Sequence, residues 1–498
     1  MSEPPVPGVA LVNLGCRVNR VELDRMATEL ERAGFVVCDA AEARAVVVNT
    51  CAVTGEAEAK ARQAVRRAAA LPQAPLVVAT GCVASLFADE LAALAPGVVV
   101  EARKDRVAAL VVARLGMTGA GAEAAGLGPD TARAQGRPAR AGEWPAGPGA
   151  TPDPEGGKKP AGVAAPARTA VPVCAASPSG PAAAEPAAPC ATPPAALPQS
   201  PTPTGRTRPG VKVQDGCDNR CSFCIVWKAR GPSRSVAPES VLDEVRAACA
   251  RGAREVVLTG INLGCYRAAD ARGRELDLPA LLDLLLDQTD VGRLRLSSIE
   301  PPDVGPALVR AMAASEGRVA PFLHVCLQSG SDTVLARMRR VYDTEGFRRA
   351  VACAREGLPD LALGTDLIVG LPGETDAEHA ASMAFCREMG FSRMHVFRYS
   401  RRPGTPAAAM GGQVAPSVQA ARGREARDLA AAMRRECAAA RVGERELVVV
   451  QAPGRGVSGG LFDVELPAEA PVGALVRVRV GAATADGTLV AEGPAEPV

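Results

Sequence analysis

A chain of 498 residues is too long for one hydrophobic core and calls for two to four domains. With 47% hydrophobic and 22% charged residues it is not a wholly disordered chain, and a net charge of +2 rules out a global basic field, so any nucleic-acid site must be a local patch. No uncharged apolar run is long enough to span a membrane, and the start "MSEPPVPGVALV" has no basic segment followed by an apolar one, so a cytoplasmic protein without a membrane partner is expected.

In chain order, residues 8–116 alternate strand and helix. The runs "VALVNLG" (9–15), "AVVVNT" (45–50) and "LVVAT" (76–80) read as strands, separated by helical stretches such as "NRVELDRMATELERAG". That pattern predicts an N-terminal three-layer open parallel sheet. Residues 117–209 change character: 18 of the 42 prolines fall in 131–210, mixed with Ala, Gly, Ser and Thr. Such a stretch cannot bury enough apolar surface to offset its ordering entropy, and it reads as a disordered linker carrying Cys174 and Cys190 as incidental thiols.

From 210 to 440 six strand candidates follow: "VKVQ" (211–214), "EVVLTG" (255–260), "RLRLSS" (293–298), "PFLHVCL" (321–327), "LALGTDLIVG" (361–370) and "SRMHVFRY" (392–399). Amphipathic helices lie between most of them, which predicts a (β/α)6 partial barrel of the TIM type with its chemistry at the strand C-terminal ends. Residues 415–440 read as an Arg-rich helix. In 441–498 four short runs, "RELVVVQ", "GLFDVELP", "ALVRVRV" and "GTLVAE", suit a small antiparallel barrel of OB type. The whole is an α/β protein.

Fifteen cysteines against three histidines in a cytoplasmic chain point to metal or redox chemistry rather than disulfides or a His-rich zinc site. Cys217, Cys221 and Cys224 stand as C-x3-C-x2-C directly after the first barrel strand. Zinc sites usually take four ligands, and no second pair follows nearby; three thiolates on an iron–sulfur cubane leave one iron open for another ligand. Cys16, Cys51 and Cys82 each follow one of the three N-terminal strands, so they converge if those strand ends line one crevice. Zinc or redox-inert cysteines stay open on spacing alone. Cys38, Cys249, Cys265, Cys326, Cys353, Cys386 and Cys437 match no pattern and are expected to be buried small side chains.

The segments "GCRVN", "NTCAVT", "TGC", "DGCDNRCSFCI", "ARGPSRS", "LTGINLGCY", "LSSIEP", "LQSGSDTVLARMRR", "TDLIVGLPGET" and "YSRRPGTPAAAM" together resemble the methylthiotransferase family of radical S-adenosylmethionine enzymes. The resemblance covers nearly all of the chain outside 117–209. It implies an N-terminal methylthiotransferase domain (8–116), a radical S-adenosylmethionine domain (210–440) and a TRAM domain (441–498). It also implies two [4Fe–4S] clusters, one on each cysteine trio, with S-adenosylmethionine on the open iron of the barrel cluster. Members insert sulfur into a carbon–hydrogen bond and methylate it.

Of three branches, "GCRVNRVE", "QDGCDNRCSFCI", "ARGPSRS" and "TGINLGCY" resemble the one that converts N6-threonylcarbamoyladenosine at position 37 of tRNA. The other two act on N6-isopentenyladenosine in tRNA and on a ribosomal-protein aspartate. "IVWK" (225–228) departs from the pattern, which has a proline near Trp227. The resemblance points to Gly260 and Asn262 as contacts of the methionine part of S-adenosylmethionine. Ser298, Glu300, Gln328 and Asp366 also end strands and are candidates to line the same cavity; no residue is assigned a catalytic role. "GLPGE" (370–374) reads as a strand-to-helix turn near the adenine side, and Arg340 as a partner for the cofactor or an RNA phosphate.

Implied partners are tRNA, an electron donor such as flavodoxin or ferredoxin, and a sulfide source. Arg393, Arg398, Arg401, Arg402, Arg422, Arg424, Arg427, Arg434 and Arg435 are candidates for the tRNA, although Glu425, Asp428 and Glu436 interrupt them. The tail offers few aromatics for stacking, only Phe462 within "GLFDVE", so backbone and shape contacts are expected there. Two other classes fit parts of the chain: a non-catalytic iron–sulfur carrier and a zinc-stabilised RNA-binding protein.

Overall fold

The computed structural model describes residues 6–116 and 201–498. Most of the Pro-rich segment, with Cys174 and Cys190, lies outside the described residues. Its last nine positions are not a free tether. Thr204 Oγ1 donates to Asp24 (2.6 Å), Arg251 Nε donates to Pro201 O (3.0 Å) and Arg208 pairs with Glu255 (3.3 Å). Composition tracks how much core a segment can form; polar side chains on a Pro-rich stretch can still be tied down one by one.

The N-terminal region runs β1 (Gly8–Asn13), α1 (Arg17–Arg32), β2 (Val36–Val37), β3 (Ala45–Thr50), α2 (Gly55–Ala69), β4 (Leu76–Gly81), α3 (Cys82–Leu86), α4 (Ala88–Ala92), β5 (Val98–Val100) and α5 (Val107–Arg114). All pairings are parallel, in the order β2-β1-β3-β4-β5. The central strand β3 is buried at all six positions, as a strand covered on both faces must be. The edge strands β2 and β5 are too short to show as sequence runs. Helix α2 starts where Thr54 accepts from Ala57 N (3.1 Å), with Glu56 and Glu58 in the first turn.

The central region begins with β6 (Gly210–Lys212), β7 (Gln214–Asp215), α6 (Val226–Arg230), β8 (Arg234–Ser235), α7 (Pro238–Ala250) and β9 (Glu255–Thr259). A hairpin, β10 (Arg267–Ala269) and β11 (Glu275–Asp277), precedes α8 (Leu278–Gln288). Then come β12 (Arg293–Leu296), β13 (Ser298–Ile299), α9 (Pro306–Ala314), β14 (Phe322–Val325), α10 (Asp332–Arg337), α11 (Thr344–Gly357), β15 (Ala362–Val369), α12 (Asp376–Met389) and β16 (Arg393–Arg398). Strands β6, β9 and β12 pair in parallel, as do β13 to β16, and β12 and β13 are one strand interrupted at Ser297. The first and last strands do not pair, so the six-stranded barrel is open.

After α13 (Pro406–Ala409), the long α14 (Pro416–Ala439) leads to a closed ring of β17 (Arg445–Ala452), β18 (Arg455–Ser458), β19 (Asp463–Glu465), β21 (Leu489–Pro497) and β20 (Leu475–Ala483). The ring has a fifth strand, β18, and its β19–β21 pairing is parallel, so it is not wholly antiparallel. Strand β18 is short and Gly-containing, which hides it from a propensity reading.

The two outer regions attach to opposite ends of the barrel. Glu255, Arg293 and Arg295, near the N-terminal ends of β9 and β12, form a fully buried ion cluster. From it Arg295 donates to Gly459 O and Ser458 O (both 2.8 Å), and Arg293 reaches Leu447 O and Val457 O. Burial and its arginine neighbour lower Arg293 to about 10, and the guanidinium stays charged. At the other end, past β16, Ser400 Oγ accepts from Gly55 N (2.9 Å) and Arg402 pairs with Glu58.

Candidate functional site

Strands β1, β3 and β4 are neighbours, and a thiol follows each: Cys16 three residues past β1, Cys51 directly after β3, and Cys82 directly after β4, where it opens α3. Cys51 and Cys82 are buried and Cys16 is exposed. A polar lattice aligns the strand ends beneath them. Asn19 Nδ2 donates to Thr50 O (2.8 Å), Asn49 Nδ2 to Asn19 O (2.7 Å) and Thr50 Oγ1 to Thr80 O (2.6 Å). Thr50 Oγ1 also accepts from Val83 N (3.1 Å). Gly81 sits at φ +94°, and a Cβ there would lie 2.4 Å from Thr50 O, so the turn into Cys82 requires glycine.

The second trio is built locally, on the loop between β7 and α6. Gly216, at φ +73°, leaves room for Pro232 O, 1.9 Å from where a Cβ would be. Cys217 N donates to Gly231 O (3.1 Å) and Cys224 N to Cys221 O (3.1 Å). Ser222 pins the loop to the end of α10 through Oγ to Arg337 O (2.8 Å). Gln214 joins the loop to the end of β9: its Oε1 accepts from Ile261 N (2.9 Å) and Asn262 N (2.8 Å), while its Nε2 donates to Gly216 O (2.8 Å).

Within each trio the thiols are electrostatic neighbours: Cys51 feels Cys16 and Cys82, and Cys224 feels Cys221 and Cys217. Burial pushes Cys51 and Cys217 up to about 11 and Cys224 up to about 12. They are neutral thiols at pH 7 until a metal displaces their protons. One tetrahedral zinc would hold its sulfurs about 3.8 Å apart. Among the described residues neither trio brings its three thiols within 4.8 Å of one another. The wider spacing suits a multi-iron cluster better than a single ion.

Of the other sequence candidates, Glu300 lies beside the barrel trio. It pairs with Arg340, whose Nη1 donates to Cys221 Sγ (3.0 Å) and whose Nε donates to Tyr342 (3.0 Å). Arg340 is therefore an internal brace, not a free cation. Gln328 and Asp366 line a cavity of about 170 Å³ together with Cys224, Val53, Thr54, Phe397 and Arg398. That cavity adjoins both the Cys51 loop and the Cys217–Cys224 loop. Gln328 has φ +67°, held by Gln328 N to Asp366 O (2.8 Å) and Ile368 N to Gln328 O (2.9 Å). Asp366 Oδ1 contacts His324 Nε2 and His395 Nδ1, both at 3.1 Å. Burial alone would raise this carboxyl; the two imidazoles outweigh it and hold it well below the ordinary range. Gly260 packs on Gln214, and a Cβ there would meet its Oε1 at 2.9 Å. Ser298 stands opposite His324 in the β13–β14 register. Three polar atoms at or just past the ends of β9 and β12, Thr259 Oγ1, Asn262 Oδ1 and Ser297 Oγ, are buried without protein partners. Orphans of this kind are what a bound polar group would satisfy.

"GLPGE" is the turn from β15 into α12, and Glu374 fills it by accepting from Gly370 N (2.5 Å) and pairing with Arg422 (2.8 Å). Other expectations change. Arg422, Arg402 and Arg434 are spent on Glu374, Glu58 and Asp463, and Arg393 reaches Leu461 O (3.5 Å) in the C-terminal ring. Of the seven unpatterned cysteines only Cys326 and Cys386 are buried, and Cys265 is exposed and near Cys217. Sequence reading missed the bolt between the two trios. Arg230 donates to Glu22 (2.9 Å), Asp215 (2.9 Å) and Asn19 (2.6 Å), with Lys212 and Lys104 also on Glu22. Burial works against the Glu22 charge, but Arg230 and the lysines bring its carboxyl down to about 2. The signal was there: "NRVE" and "ARGPSRS" each place charge beside a cysteine motif.

Residues 211–386 match the radical SAM superfamily, and residues 8–101 match the uncharacterized protein family UPF0004. The chain is 35% identical to the threonylcarbamoyladenosine tRNA methylthiotransferase MtaB of Treponema pallidum, over 82% of this chain and 83% of that protein. It is 32% identical to the protein of the same name from Thermotoga maritima, over 82% and 78%. It is 42% identical to the tRNA-2-methylthio-N(6)-dimethylallyladenosine synthase of a Parafrankia strain, but over only 49% of each chain. With a cavity bordered by the loops that carry Cys51 and Cys224, and relatives this similar along most of its length, the chain belongs to the methylthiotransferase family of radical S-adenosylmethionine enzymes.

Proposed function

We propose that this enzyme converts N6-threonylcarbamoyladenosine at position 37 of tRNA to its 2-methylthio derivative. The observation that carries the reading is the cavity between the two cysteine-bearing loops, in a chain similar to MtaB proteins over most of its length. Cys16, Cys51 and Cys82 are the ligands for one [4Fe–4S] cluster, and Cys217, Cys221 and Cys224 for the other. When bound, the clusters supply reductive cleavage of S-adenosylmethionine and the sulfur for insertion.

The chain's own residues orient and shield. The unpartnered Asn262 Oδ1 offers an acceptor for the cofactor's ammonium, and Gly260, packed on Gln214, offers its backbone to the methionine part. Glu300, held by Arg340, places a carboxylate near Cys221. Gln328 and Asp366 form the polar wall of the cavity. Phe397 and Ile368 form the apolar wall that limits water. Flavodoxin or ferredoxin provides electrons, a cellular sulfide source replenishes sulfur, and the work is done in the cytoplasm. No described helix is long and apolar enough to cross a membrane.

The test is nucleoside mass spectrometry of tRNA from a strain lacking the gene. Loss of 2-methylthio-N6-threonylcarbamoyladenosine is expected, with its return on complementation. Loss of the isopentenyl counterpart instead would reassign the substrate.

A further inference from the structure

Beside the Cys217–Cys224 loop lies an open basin of about 960 Å³. Its rim carries Arg220, Lys228, Arg339 and Arg401, its floor is proline, glycine and alanine with Trp227 at one side, and no acidic residue lines it. Several cations elsewhere on the molecule are paired with acids. Arg402, Arg422, Arg337 and Arg348 are each neutralised by a glutamate. Around the basin the partners are neutral. Arg220 donates to Cys217 O (3.1 Å) and stacks over Trp227 at 4.6 Å. Lys228 Nζ donates to Gly404 O (2.5 Å) and lies 5.2 Å from the same ring. Arg401 Nε donates to Ala408 O (2.8 Å), and Arg339 has no side-chain partner among the described residues. Carbonyls fix Arg220, Lys228 and Arg401 in place, and none of the four charges has an acidic partner among the described residues. Four such charges in one basin exceed the net +2 of the whole chain.

We infer that this basin is the docking site for the phosphate backbone of single-stranded RNA entering the barrel mouth. The inference rests on the tRNA reading above and names the surface that reading requires. Fixed guanidinium and ammonium donors pair phosphates. The stacked guanidinium over an indole offers a platform for an unpaired base, and the apolar floor accommodates sugar and base faces. An acidic electron-donor protein is the other partner such charge attracts. The open, apolar-floored basin with a stacked platform favours an RNA loop.

The test is fluorescence anisotropy of an anticodon stem–loop RNA lacking any modification, titrated with the cluster-loaded enzyme at several KCl concentrations. Three phosphate contacts at ~0.7 each predict that Lys228→Gln/Arg339→Gln/Arg401→Gln lowers the slope of log affinity against log salt by roughly 2. At 0.15 M salt the affinity should fall about tenfold or more. The charge-conserving Arg339→Lys/Arg401→Lys variant should keep the slope, which separates charge from misfolding. An unchanged slope in the triple Gln variant overturns the assignment. So does a variant that binds RNA normally but no longer binds reduced flavodoxin. Because the probe carries no substrate nucleoside, this measurement stands apart from the functional reading, which fails on its own if wild-type enzyme forms no 2-methylthio product.

Discussion

The two cysteine trios solve one chemical problem by different routes. Cys217, Cys221 and Cys224 lie within eight residues, and a single loop with its Gly216 turn places them. Cys16, Cys51 and Cys82 span 67 residues and meet only if three parallel strands end in register. The first site is a local motif leaning on the barrel through Gln214 and Ser222. The second is a property of a whole sheet, trimmed by Asn19, Asn49 and Thr50. A local site survives disturbance elsewhere; a sheet-built site inherits every fault of its strands.

The largest effects should come from the cysteines proposed as cluster ligands. Cys51→Ala and Cys224→Ala are both expected to abolish 2-methylthio product by nucleoside mass spectrometry. Only Cys224→Ala should also abolish 5′-deoxyadenosine formation. Full thiolation by Cys51→Ala would dissolve the division of labour. Next come the glycines. Gly81→Ala forces a left-handed backbone and a contact with Thr50 O, and Gly216→Ala does the same against Pro232 O. Each is expected to halve bound iron in a colorimetric assay. The two should differ in thermal unfolding, with Gly81→Ala the more damaging because the sheet moves with it.

The bolt between the trios gives a third comparison. Arg230→Gln leaves Glu22 buried with one fewer cation and should cost about 3–5 kcal/mol in denaturant unfolding. The Glu22 carboxyl drops from an ordinary 4.5 to about 2 in the folded protein. Its contribution is therefore fully present above about pH 4.5 and is lost as pH falls toward 2, amounting to ~3 kcal/mol. In Arg230→Gln that acid-side slope should shrink; an unchanged slope would mean that Lys104 and Lys212 suffice. The smallest effect is expected from Gln214→Ala. Losing its bonds to the 260–262 segment costs about 1–3 kcal/mol and should raise the KM for S-adenosylmethionine roughly tenfold while iron content holds.

Much of this design could be read in the residues. The six barrel strands were visible as short runs carrying apolar residues with helical periods between most of them, and each cysteine trio stands where strand runs stop. The unreadable parts have physical reasons. Arg230, Glu22 and Asn19 lie far apart in sequence, and a buried ion network has no period to betray it. Gln214 looks like any polar residue ending a strand. The Arg-rich stretch of α14 looked like a nucleic-acid stripe, yet Arg422 and Arg434 in it close ion pairs, while Arg220, Lys228 and Arg339, which lie outside it, join Arg401 around a basin without acidic lining. Charge in a sequence reports sign; only folding decides which charges cancel.

The C-terminal ring, held by Arg293 and Arg295 at the N-terminal ends of the barrel strands, turns the barrel into a gauge. Strand β15 has eight residues and is ~26 Å long at about 3.3 Å per residue. An RNA touching both the mouth and the ring must reach at least that far around the barrel wall. For such an RNA, length would count in recognition independently of any base the protein reads.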